Sequence, residues 1–140
     1  MEQLFGAPLR NEQLIGMIFP RGYNYGQEQI GRGIAKHIGY DNLMDVNKGV
    51  FEDVDIKRII PCQTVISTAR IIQYMLYLRE HDDIPGNPIA IRIGEDVYLL
   101  DGHHRVAAQI LLGRQTVRIL VTELKEDDEL VVKQKMKFNI

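Results

Sequence analysis

The sequence predicts an α+β fold: a single domain with a small mixed sheet and helices packed against it. Three observations point there. β-prone runs alternate with helical ones between Val54 and Val121. Ile89–Ile93 and Val97–Leu100 are two such runs separated by one turn. At Asp101-Gly102 a strand passes directly into a helical stretch. The length of 140 residues, with 45% hydrophobic and 26% charged residues, suits one domain with its own core.

Taken in order, residues 1–50 carry Gly6, Gly16, Gly22, Gly26, Gly31, Gly33, Gly39 and Gly49, a spacing that favours loops and short helices, and they read as an extension packed on the domain. One helix is expected within Asn24–Tyr40, where Ile30, Ile34 and Ile38 recur every fourth residue. The Gly31-Arg32-Gly33 triplet inside it reads as a packing feature rather than a phosphate loop. Residues 51–124 form the expected core. Val54, Ile56, Ile59 and Ile60 predict a first core strand closed by Pro61. Gln63 to Ser67 then connects to a helix capped by Ser67 or Thr68 and reaching about Arg79, with Ile71, Ile72, Met75, Leu76 and Leu78 on its apolar face.

The stretch His81–Pro88, with two prolines, a glycine and an asparagine, ends that helix. Ile89, Ile91 and Ile93, the turn Gly94-Glu95-Asp96 and the run Val97–Leu100 predict a hairpin with one buried face. A helix through Val106–Leu112 stops at Gly113, and Val117, Ile119 and Val121 form a further strand. Residues 125–140 are an acidic-then-basic tail, helix or strand. The acidic residues Glu123, Glu126, Asp127, Asp128 and Glu129 read as a solvated segment.

A net charge of −2 and a pI near 6.1 argue against coating nucleic acid by bulk electrostatics, although a local basic groove stays compatible with them. The single cysteine, Cys62, excludes an internal disulfide and a cysteine-based zinc cluster, and it reads as a small buried residue. No run approaches the roughly 20 apolar residues of a membrane span, and the N-terminus lacks a signal-peptide layout, so a cytoplasmic protein with no membrane partner is expected.

The chemistry concentrates at Asp101-Gly102-His103-His104-Arg105. A glycine turn leading into a helix aims free backbone N–H groups, backed by the helix dipole, at whatever lies beyond it, and anions bind there. Gly102 permits positive φ or close approach to a ligand; His103, His104 and Arg105 add donors, and Arg105 offers a bidentate fork for phosphate oxygens. Asp101 has three readings: it caps the helix, orients a histidine, or holds a metal that accompanies phosphates. Adjacent helical residues lie about 100° apart, which selects one histidine, His104, to face a ligand. Chelation by His103 and His104 alone is disfavoured by their adjacent spacing, and no resident metal is expected.

The strand Val97–Leu100, the motif Asp101–Arg105, the helix Val106–Leu112 and Gly113 resemble the ParB/sulfiredoxin-like superfamily. Pro61-Cys62-Gln63 and Asn87-Pro88-Ile89 fall in the expected order, and the match covers Val54 to Val121. The resemblance implies a ParB/sulfiredoxin-like fold that binds nucleotide phosphates through Gly102, His103, His104 and Arg105, with Gln63, Thr64 and Ser67 as substrate contacts. His103 stands where sulfiredoxins carry the reactive cysteine, so that redox chemistry is not implied. ParB proteins continue into a helix-turn-helix domain, for which this chain leaves no room. The stand-alone "ParB-like nuclease" type of phages and mobile elements is the nearer likeness, together with the serine kinase branch.

Two functions follow as expectations. One is an NTPase, nuclease or phosphotransferase using ATP or another nucleotide, with Asp101 or His104 handling the proton and Mg²⁺ as helper. The other is a non-catalytic module of the same fold that grips DNA or a host protein.

Overall fold

The structure, a computed structural model, describes residues 9, 10 and 12–138. In chain order the elements are β1 (Leu9–Arg10), α1 (Glu12–Ile18), α2 (Tyr25–Ile38), α3 (Tyr40–Met44), β2 (Val50–Asp55), a 3-10 turn (Ile56–Arg58), β3 (Ile59–Pro61) and β4 (Val65–Ile66). They continue with α4 (Thr68–Glu80), β5 (Ile89–Ile93), β6 (Asp96–Asp101), α5 (His103–Leu111), β7 (Thr116–Leu124) and α6 (Glu129–Lys137). Five strands form one mixed sheet in the order β2-β7-β5-β6-β3, in which β3 is parallel to β6 and β5 to β7. β1 and β4 make a separate antiparallel pair. The fold class is therefore α+β with a small mixed sheet.

The sheet separates two apolar cores. Ala90, Val97, Leu99, Val117, Ile119 and Val121 pack under α1, α4 and α5, against Ile15, Phe19, Ile71 and Val106. Ile89, Ile91, Ile93, Tyr98, Leu100 and Leu120 pack under α2, α3 and α6, against Ile30, Ile34, Leu43 and Val131. Each fully buried Ile, Leu or Phe contributes about 1.5–3 kcal/mol relative to exposure, so each layer depends on the other. This corrects the hairpin with one buried face: Ile89, Ala90, Ile91 and Ile93 are all buried, as are Val97–Leu100. The unbroken apolar run Val97-Tyr98-Leu99-Leu100 is the signature of a strand covered on both sides.

A second correction concerns the expected strand from Val54 to Ile60. The Asp55 carboxylate accepts the Lys57 N–H at 2.9 Å and starts the 3-10 turn. The chain thereby leaves β2 at one edge of the sheet and re-enters as β3 at the opposite edge. Pro61 ends β3, where its missing N–H costs no ladder bond on an edge strand. The β5–β6 hairpin turns through Gly94-Glu95, with Gly94 at φ 61°.

Three caps explain helix starts. Asn24, Ser67 and Asp128 accept the N–H groups of Gln27, Arg70 and Leu130, and begin α2, α4 and α6. Asp128 thus turns part of the acidic run into a helix start, and the tail forms a helix. Gly31, buried in α2, lies against the sheet so closely that a Cβ there would stand 2.6 Å from Cys62 Sγ and 3.3 Å from the Tyr98 ring. Gly31→Ala is expected to lower unfolding free energy by about 1–2 kcal/mol, because overpacking outweighs the gain in helix propensity. Chemical denaturation checks this, and Cys62→Ala in the same chain should recover most of the loss; an unaltered or raised midpoint for Gly31→Ala alone contradicts the close contact. Among the described residues, no helix is long and apolar enough to cross a membrane.

Candidate anion site at the start of α5

β3 and β6 run parallel, with Pro61 opposite Leu99, so their C-terminal ends place the loop 62–67 beside the turn 101–102. This is the crevice at strand carboxyl ends where α/β sheets commonly bind ligands. Gly102 is the N-cap of α5 at φ 87° and ψ 24°, and no side chain caps the helix. The capping reading of Asp101 is thereby corrected. Asp101 closes β6 and is exposed, and its carboxylate makes no hydrogen bond or ion pair among the described residues, so it orients neither histidine. The first N–H groups of α5 are left without intrahelical or side-chain acceptors.

Both histidines commit one ring nitrogen to the fold. His103 Nε2 accepts the Cys62 N–H at 3.0 Å, and His104 Nε2 accepts the Ser67 N–H at 2.9 Å. An acceptor nitrogen carries a lone pair, so each ring is neutral with its proton on Nδ1. Burial, reinforced by Arg32 and by His104, pushes His103 down to about 3; its Nδ1 finds no partner at hydrogen-bonding geometry, and the nearby Leu99 carbonyl opposes the shift only weakly. Burial, with Arg70 and Arg105, lowers His104 to about 4. His103 is 1% exposed and packs edge-on to Phe19, so its ring braces the loop from the core and what it offers at the turn is its backbone N–H. His104 has its Nε2 lone pair engaged by the Ser67 N–H, and burial disfavours its protonation. Its Nδ1–H remains a donor.

The loop 62–67 is held at both ends by these rings. Arg32 adds a third tie, from Nε to the Cys62 carbonyl at 2.8 Å, while its guanidinium also meets the Tyr40 hydroxyl at 2.6 Å. Cys62 is wholly buried and burial pushes its thiol far up, which suits an inert core residue. Of the three expected substrate contacts, Ser67 is 1% exposed and spends its hydroxyl on the Arg70 N–H at 3.3 Å. Thr64 is 7% exposed, and the Gln63 amide donates to the Val65 carbonyl. Gln63 is the most accessible of the three.

Arg105 lies over the Tyr74 ring at 5.4 Å, with its Nε buried and unbonded. Sequence reading missed Arg70 and Arg32 as parts of this neighbourhood. A signal for Arg70 exists, since a cation in the first turn of a helix opposes the dipole. Arg32, Arg70 and Arg105 all bear on the two histidines, and none forms an ion pair among the described residues. The uncapped helix start, with Arg105 in its first turn, offers backbone N–H groups and a cation of the kind that oxyanions bind.

No protein-family model matches the chain, and no curated protein matches it.

Proposed function

We propose that the protein is ParB/sulfiredoxin-like and binds the phosphates of ATP or another nucleotide at the start of α5. The observation that carries this reading is the start of α5 at Gly102, which no side chain caps, with Arg105 in its first turn and outside any ion pair among the described residues. Backbone N–H groups, His104 Nδ1–H and Arg105 supply the donors. In the catalytic form of the proposal, water or a hydroxyl attacks a phosphorus, Asp101 takes its proton, and the helix start stabilises the charge on the leaving phosphate. One unpartnered carboxylate suits a magnesium ion brought in with the phosphates, since magnesium is commonly held by one or two carboxylates plus substrate oxygens. It would neutralise phosphate charge there.

A specific observation favours a second reading, a binder without turnover: both histidine Nε2 lone pairs are committed to loop N–H groups, which leaves Asp101 as the only base at the turn. That binder would use the nucleotide-loaded form to grip DNA or a protein. A thermal-shift screen with ATP, ADP, CTP, GTP and short DNA, followed by turnover of radiolabelled nucleotide with and without Mg²⁺, separates the two readings. Arg105→Ala is expected to weaken nucleotide binding about 10–100-fold, the size of a lost charge-assisted hydrogen bond. Unaltered affinity in that variant would remove Arg105 from the site.

A further inference from the structure

A separate cleft of about 180 Å³ opens beside α5, between the 83–88 loop and the edge formed by β2 and β7. Two guanidiniums line it. Arg105 enters from α5, with the backbone of Gly86 lying close over it. Arg118 enters from β7, 4.7 Å over the Phe51 ring. Each guanidinium lies over an aromatic ring, Arg105 over Tyr74 and Arg118 over Phe51, an attraction that restrains its position. Arg118 forms no ion pair among the described residues, even with Asp53, which stands directly across the β2–β7 ladder. Asn87 is exposed at the same rim, and Asp83 is the one carboxylate among the lining residues.

The size decides what fits. The volume of 180 Å³ is well below the roughly 300 Å³ where pockets for drug-sized ligands begin. A single charged group fits within it. We propose that this cleft is an oxyanion subsite for the phosphate or carboxylate of a small second ligand, held between Arg105 and Arg118. Its geometry is independent of the nucleotide reading, although Arg105 borders both places. If nucleotide does bind at the start of α5, the cleft defines its co-substrate as a small acid or phosphate ester.

The test uses isothermal calorimetry on the whole chain with inorganic phosphate and with malonate, against sodium chloride at matched ionic strength. Saturable binding of either anion is expected, weakened at least tenfold in Arg118→Gln and tightened about threefold or more in Asp83→Asn. Arg118 is exposed on its strand, so Arg118→Gln should keep the fold, which circular dichroism checks. Heat equal to that of chloride overturns the proposal. So does anion binding indifferent to Arg118→Gln, because that anion sits at the helix start instead. ATP titrated into the unaltered chain reports on the nucleotide reading by itself. Failure of ATP with anion binding that depends on Arg118 sinks that reading and leaves the cleft standing.

Discussion

Lowering the pH from 7 to 5 is expected to cost the fold about 2 kcal/mol through His103 and about half as much through His104, which keeps some solvent contact. The sign follows from the two states. In the unfolded chain each ring titrates near its ordinary 6.5, whereas in the fold His103 lies near 3 and His104 near 4. Between those values the unfolded state binds protons that the native state refuses. The stabilisation is complete above 6.5 and drains away as pH falls toward 4 and 3. The physical cause is specific: a proton on Nε2 would face the Cys62 or Ser67 N–H and detach the loop. Urea unfolding at pH 7 and pH 5 measures the difference. His103→Gln with His104→Gln, which offers an amide oxygen in place of each acceptor nitrogen, should flatten the pH slope; an equally steep slope in that double variant would assign the acid sensitivity elsewhere.

Replacing Gly102 by valine is expected to destabilise the protein by about 3–5 kcal/mol, lowering the melting temperature by on the order of 10 °C, and to abolish the anion binding proposed at α5. Two costs combine. At φ 87° a β-branched residue is strained, and a Cβ would stand 2.9 Å from Pro88 Cα, a backbone atom with little room to retreat. Gly113 supplies the internal control, since it has φ 90° with nothing near the place of its missing Cβ. Gly113→Val should therefore cost only the strain. Equal losses in melting temperature for the two variants would mean that Pro88 does not confine Gly102.

Much of the fold was legible because its cues are local. Gly113 stops α5, Ser67 caps α4 and the Ile89–Leu100 hairpin turns at Gly94, each through short-range chemistry. The break after Asp55 was not legible, because Val54, Ile56, Ile59 and Ile60 have the composition of one strand and only the tertiary arrangement sends β2 and β3 to opposite edges. The glycine turn at the start of α5 was legible, and the partners of its side chains were less so. Gly102 and Arg105 stand out from glycine chemistry and guanidinium chemistry. The histidines bond to partners 41 and 37 residues away, and nothing adjacent in sequence announces that. Arg32 reaches Cys62 across 30 residues for the same reason.

The two margins of the main sheet carry a consequence for the chain's behaviour in company. β3 has three residues and ends in Pro61, which offers no N–H to an incoming strand. β2, at the far margin, bears Asp53 and Asp55, with Glu52 paired to Arg92 between the strands. Another copy that tried to extend the sheet would meet a missing donor on one side and like-charge repulsion on the other. The resulting resistance to intermolecular strand pairing helps to protect the unbroken apolar run of β6, a segment that would promote fibril-type association if it lay at a margin rather than between β5 and β3.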